Sequence, residues 1–240
     1  MTNNDINNDI NNDNNIDINN DPIITMELPS PLILGSASFT RKLILKEMGI
    51  NYEILVRPID EKNIGDRVND KPSDLVLKLA IAKADHLINE ISREISFQEF
   101  PISNRREGWL VLTADQVVTH NNDILEKPES IDEAKDFVHR YAQSPPCTVG
   151  ACVITHYPTM MRVSGVDTAE IKFQSTVADS NLIDRLVDDG APVLKCAGGL
   201  MVEHPYVREH IECIDGTEDS VMGLSKDLVI RLLHEIKEKI

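Results

Sequence analysis

The stretch LILGSASFTRKLILKEMG, Leu32–Gly49, decides the fold. It begins as an apolar strand, passes through small residues that allow a tight turn, and becomes a helix ended by glycine, the opening of an α/β unit. The spacing predicts a helix over Phe39–Met48, with Ser38 as N-cap and Gly49 as the left-handed C-terminal cap. Arg41 and Lys42 then fall in the first turn, where the helix dipole makes cations unfavourable. A capping box would place Glu or Gln where Arg41 stands. Backbone N–H groups, the hydroxyls of Ser36 and Ser38, and a guanidinium converging on one helix start suit a phosphate or carboxylate. An ordinary serine cap, with Arg41 extended into solvent, is the plainer alternative.

Working outward, YEILVRPIDEKN reads as a strand running into a polar loop that carries Asp60 and Glu61. SDLVLKLAIAKADHLINEI is an amphipathic helix with Val76, Leu79, Lys83 and Leu87 on one stripe. Ser92–Glu107 reads as an exposed loop. WLVLTADQVV is the most apolar strand, and HNNDI after it has hairpin-turn chemistry. Ser130 and Glu133 form a capping box at the next helix start. TVGACVIT and AEIKFQST read as antiparallel strands, NLIDRLVDDG as a helix closed by Gly190, and SKDLVIRLLHEIKEKI as the terminal helix. Helices and strands alternate without a strict βαβ rhythm, which predicts an α/β fold on a mixed sheet.

The chain has 240 residues, enough for one substantial domain with a large core. Met1 to about Asp21 is an Asn/Asp/Ile tract too polar to offset its ordering entropy. The expectation is a disordered tail over residues 1–27 and a single domain over 28–240. A formal net charge of -16 argues against nucleic acid or an anionic membrane as partner. Four cysteines without CxxC or zinc spacing read as reduced thiols. No apolar run approaches a membrane span and no basic–apolar leader opens the chain, so the expected location is cytoplasmic.

Asp115 interrupts an apolar run, where a carboxylate is costly unless paired or metal-bound. With Glu61 it could hold a hard cation through oxygen; a strand-end cap and a solvated turn are the plain alternatives. Lys83 lies on an apolar stripe, where a snorkelling lysine is the plain reading, and Lys127 sits in a loop before proline. Together these hydroxyls, cations and acids suit a metal-bound polyphosphate.

The order and context of these pieces resemble the Maf family of nucleoside triphosphate pyrophosphatases. The motifs are SASFTR, Asp60–Glu61, LAIAKA around Lys83, TADQVV around Asp115, EKP around Lys127, CAGGLMVE and DSVMGL. The resemblance implies a twisted mixed sheet in two lobes with a central nucleotide cleft, akin to the inosine triphosphate pyrophosphatase fold, and frequently a homodimer. It implies hydrolysis of a nucleoside triphosphate to monophosphate and pyrophosphate with a divalent metal, Mg²⁺ first and Mn²⁺ second. By motif, Asp115 activates water and helps hold the metal, and Glu61 is a second metal-side carboxylate. Ser36, Ser38, Arg41, Lys83 and Lys127 hold the phosphates.

Thr40, Gln116 and Glu203 differ from the thymidine and uridine triphosphate branch, which resembles SPRR, ADT and a Gln at those places. Gln116 and Glu203 look like the branch acting on 7-methyl-GTP. A carboxylate accepts two N–H donors from guanine at once, whereas uracil or thymine would leave it facing a carbonyl. The resemblance therefore favours house-cleaning of modified nucleotides such as 7-methyl-GTP. A dTTP/UTP pyrophosphatase and a non-catalytic nucleotide-binding regulator are the alternatives. Phe39 stands where the family has proline, His204 where Gly is frequent, and Thr148 lies in a departing segment, SPPCTVG, in a place suited to a hydroxyl contact.

Overall fold

The computed structural model describes residues 28–96, 108–199 and 201–240. The expected tail, 1–27, lies outside the described residues. So does most of the expected loop after Ser92.

β1 (Leu32–Leu34) leads into α1 (Phe39–Glu47), with Ser38 as N-cap and Gly49 at φ 67°. β2 (Tyr52–Ile54) follows, then a short 3₁₀ turn at Glu61–Asn63 and the long α2 (Pro72–Ser96). The helix therefore continues through Ser92–Ser96, where a loop was expected, because Ile88 and Ile91 still bury against the sheet. β3 (Trp109–His120) turns into β4 (Asp123–Leu125). Asn121 and Asn122 at φ 50° and 73° make the two-residue left-handed turn that suits a twisted hairpin.

α3 (Ile131–Tyr141) starts on the Ser130 hydroxyl, which accepts from the Glu133 N–H at 3.1 Å. β5 (Cys147–Tyr157) and β6 (Arg162–Phe173) form a long antiparallel pair. α4 (Leu182–Asp188), α5 (Pro205–Arg208), β7 (Ile211–Asp215), α6 (Glu218–Met222) and α7 (Lys226–Lys237) complete the chain.

The seven strands among the described residues form one mixed sheet in the order β2-β1-β3-β5-β6-β7, with β4 also on β3. β1 runs parallel to β2 and β3, and the pairs beyond are antiparallel. Side chains alternate between faces along β3. Leu110, Leu112 and Ala114 pack with Ile44 and Leu45 of α1 and Leu232 and Leu233 of α7. On the opposite face Trp109 and Val111 meet Leu87, Ile88 and Ile91 of α2, and Val117 meets Val76, Ala80 and Ala84. At the far end Val118 joins a separate core with Phe137, Ile171, Leu182 and Val207. Asp115 and Gln116 thus occupy the stretch of β3 where one core gives way to the other. Among the described residues no helix is long and apolar enough to cross a membrane.

Candidate active site

The turn between β1 and α1 is pressed onto the sheet. Gly35 donates to the Leu112 carbonyl at 2.8 Å, and a side chain there would meet Thr113 Cγ2 at 2.8 Å and Leu87 Cδ2 at 2.9 Å. That close approach delivers the Ser36 and Ser38 hydroxyls to the middle of β3. Ser36 Oγ is buried and accepts from the Ser38 N–H at 3.3 Å. Ser38 Oγ lies 2.9 Å from Thr40 Oγ1, so three hydroxyls line one turn.

Arg41 has partners that its place in the sequence does not reveal. Its guanidinium donates to Ser36 Oγ at 3.2 Å, to the Ala114 carbonyl at 2.9 Å and to the Gly223 carbonyl at 3.0 Å. The last is a helix-end carbonyl just past α6, one of the acceptors a helix terminus leaves open. Arg41 at a helix start is therefore an intramolecular bridge from the turn to β3 and α6, and it does not extend into solvent. Burial lowers the Arg41 pKa, and nearby Asp115 opposes that shift.

Asp115 is only 8 % exposed and points toward α2, on the face of Thr113, whose hydroxyl donates to the Ala80 carbonyl at 2.8 Å. Lys83 comes off the apolar stripe of α2 and donates to Asp115 Oδ1 at 2.5 Å, with Glu61 Oε1 at 3.1 Å on its other side. The lysine read as an anomaly on that stripe is thus paired with the carboxylate read as an anomaly in the strand. Burial raises the Asp115 pKa. The Lys83 ammonium and Arg41 pull it back, and Glu61 adds to the rise. Glu61 is half exposed, on the 3₁₀ turn after Asp60. Asp60 is exposed and accepts from Asn63 Nδ2 at 2.6 Å.

Lys83, Asp115 and Glu61 thus form one cluster, and Arg41, close enough to Asp115 and Glu61 for their charges to act on it, ties that cluster to the Ser36–Ser38–Thr40 turn. Gln116 points to the opposite face of β3, where its amide donates to the Ser220 and Val221 carbonyls at 2.9 and 3.1 Å. Together with Arg41 it fastens α6 to the sheet. Ser220 adds a hydrogen bond from its hydroxyl to Asp167.

Lys127 and Glu203 lie beyond the end of β3 and share a neighbour in Cys196. Burial and Glu203 push that thiol up to about 11, while Lys127 draws it down. The Glu203 pKa is raised by burial, with Glu218 adding and His204 and Arg208 opposing. The two segments are stitched by the Gly198 N–H, which donates to the Glu126 carbonyl at 3.0 Å. Gly198 sits at φ 66°, and a Cβ there would be 2.7 Å from the Tyr141 hydroxyl and 2.8 Å from Val118 Cγ2. Gly198→Ala is expected to cost about 2 kcal/mol or more of unfolding free energy in a urea titration. An unchanged midpoint would contradict this packing.

One further sequence reading is corrected. Thr148 is buried in β5 and its hydroxyl donates to the Ala169 carbonyl at 3.3 Å, so it offers no free contact. His204 turns to Asp189, 3.0 Å from Nε2, while Nδ1 accepts from the Tyr206 N–H at 3.3 Å. It caps α5. Phe39, in the place of the expected proline, is 71 % exposed. Arg67, in GDRVND, has no spacing that singles it out, yet its guanidinium reaches the Ile64 and Glu61 carbonyls and the Glu126 carboxylate.

The fold and this group define a class, an α/β protein on a mixed sheet with a paired lysine and carboxylates beside the turn where a strand passes into a helix. A family profile described as Maf-like protein matches residues 31–236, and the chain belongs to that family. It is 32% identical over 208 residues to a 7-methyl-GTP pyrophosphatase of Dictyostelium discoideum, covering 87% of this chain and 98% of that one. It is 27% identical over 209 residues to a dTTP/UTP pyrophosphatase of Salinibacter ruber, covering 87% and 92%. A nucleoside triphosphate pyrophosphatase of Gluconobacter oxydans is 26% identical over 214 residues, covering 89% and 97%.

Proposed function

We propose that this protein hydrolyses a nucleoside triphosphate to the monophosphate and pyrophosphate, with 7-methyl-GTP as preferred substrate. The observation that carries the reaction is the buried Asp115 carboxylate, 2.5 Å from Lys83, beside the Ser36–Arg41 turn in a chain of the Maf-like family. Asp115 accepts a proton as the water oxygen bonds to the α-phosphorus. The bond from that phosphorus to the bridging oxygen breaks, and pyrophosphate leaves with the electron pair. Lys83 and the turn hydroxyls meet charge on the phosphate oxygens, where preorganised donors count most.

A divalent cation, Mg²⁺ by preference, fits the donor set. Asp115 and Glu61 converge on one point, the Lys83 ammonium. Among the described residues no group of three or more acidic, histidine or cysteine side chains is arranged for a metal. Two carboxylates completed by substrate oxygens is the pattern Mg²⁺ commonly takes. When bound, the ion would neutralise charge on the triphosphate.

The preference for 7-methyl-GTP is supported by Glu203, a half-buried carboxylate able to accept two guanine N–H groups. The 32% identity to a relative of that name adds to it. The test is a panel of 7-methyl-GTP, GTP, UTP and dTTP assayed for pyrophosphate. Glu203→Gln is expected to lower the ratio of kcat/KM for 7-methyl-GTP over UTP by about tenfold, the scale of one mismatched buried hydrogen-bonding group. An unchanged ratio removes Glu203 from base recognition. UTP or dTTP as the best wild-type substrate would favour the pyrimidine reading.

A further inference from the structure

We infer that Arg67 is a positioning residue for Glu61: its guanidinium locks the turn carrying Glu61 against the loop carrying Lys127. The activity readout of this inference rests on the pyrophosphatase reading above.

Glu61 contributes a carboxylate to the cluster, yet burial does not hold it there, since its side chain is 49% exposed. Its placement depends on the backbone of the 3₁₀ turn. Arg67 donates from one nitrogen to the Ile64 carbonyl, and from the other to the Glu61 carbonyl at 2.9 Å and the Glu126 carboxylate at 3.5 Å. One planar group thus joins three acceptors on two segments far apart in sequence, which the single point charge of a lysine does poorly. Glu126 precedes Lys127 and is itself tied to Gly198 through its carbonyl.

The rest of the loop is braced from outside. Asp66 accepts from the Val68 and Asn69 amides at 2.8 and 3.1 Å, and Asp70 accepts from the Asp66 amide at 2.9 Å and from Lys78 at 2.7 Å. These bonds shape residues 66–78 but do not touch Glu61. Arg67 is what connects that frame inward to the carboxylate's own peptide unit. It also lines an open cleft of about 620 Å³ with Lys127, Glu126 and Phe137, so the bridge spans the space between the two loops.

The test uses the full chain with Arg67→Ala, Glu61→Gln and the double variant, and reads both pyrophosphate release and hydrogen exchange. The informative amide is Ile64, which donates to the Glu61 carbonyl at 3.2 Å. Arg67→Ala is expected to lower kcat/KM about tenfold or more, as small misplacements of a reacting group do. It should also speed exchange at Ile64. In the Glu61→Gln background the same change is expected to cost less than about twofold, because residues acting through one another are not additive. Equal losses in both backgrounds, or no loss from Arg67→Ala, overturn the inference. Should Arg67→Ala fail to fold, Arg67→Lys goes through the same cycle with the same expectations. A wild-type protein without pyrophosphate release would sink the pyrophosphatase reading. The exchange comparison would still decide this one, since unchanged protection at Ile64 overturns it.

Discussion

Asp115→Asn is expected to lower pyrophosphate release by about 10²–10⁴-fold, the range a positioned general base contributes, while melting no lower than the wild type. The two halves of that outcome have one cause. The carboxylate is buried in β3, and burial holds its pKa above the ordinary value despite Lys83 and Arg41. A raised folded pKa means that the charged form is on balance unwelcome in the fold. Asparagine keeps the shape, removes the charge, and leaves Lys83 with Glu61 at 3.1 Å. Activity is lost while the protein gains or keeps stability, the trade expected where function requires a costly group. A variant that turns over as fast as the wild type would remove Asp115 from the chemistry. A variant that melts well below it would show that the pair with Lys83 stabilises the fold.

Lys83→Met is expected to cost about 3 kcal/mol of stability at neutral pH, the scale of breaking a buried pair from one side, and to lower kcat/KM at least about tenfold. Asp115 and Glu61 would then face each other without the ammonium between them. The sign of the pH dependence follows from Asp115. Its pKa is raised on folding, so its favourable contribution is complete below the unfolded value of 3.8 and is lost as pH rises through the folded one. Without Lys83 the folded value rises further. The melting temperature of the variant should therefore fall more steeply from acid to neutral pH than that of the wild type, and the acid limb of its activity profile should move up. Parallel pH–melting curves for the two proteins would contradict the pairing of Lys83 with Asp115.

The parts of the fold legible in the sequence were those written in local chemistry. The Ser38 cap, Gly49, the Asn121–Asn122 hairpin and the Ser130 capping box each act within a few residues, and each lies where its spacing placed it. The long strands were legible as apolar runs, although β6 starts at Arg162, ahead of the expected stretch, because pairing with β5 extends it. The short β7, α5 and α6 went unread, since strands and helices of so few residues exist by virtue of what they pack against.

The candidate site was legible as a set of misfits: an acid in an apolar strand, a lysine on an apolar stripe, an arginine at a helix start. What each misfit met was not. Lys83 and Asp115 proved to be partners 32 positions apart, and Arg41 reaches a carbonyl 182 positions away. Such pairings are made by the sheet bringing distant segments together, and no periodicity encodes them. Gln116 illustrates the same point. The resemblance makes it a substrate contact, and the structure adds what no motif encodes, that its amide nitrogen donates to two carbonyls of α6.

The central claim is that this cluster cleaves between the α- and β-phosphates of a nucleoside triphosphate. It is tested most directly by identifying the products the wild-type protein forms from 7-methyl-GTP and GTP with Mg²⁺, separating pyrophosphate from orthophosphate. The account predicts nucleoside monophosphate and pyrophosphate in equal amounts, with no diphosphate. Nucleoside diphosphate with orthophosphate, or no turnover of any nucleoside triphosphate with Mg²⁺ or Mn²⁺, would contradict it.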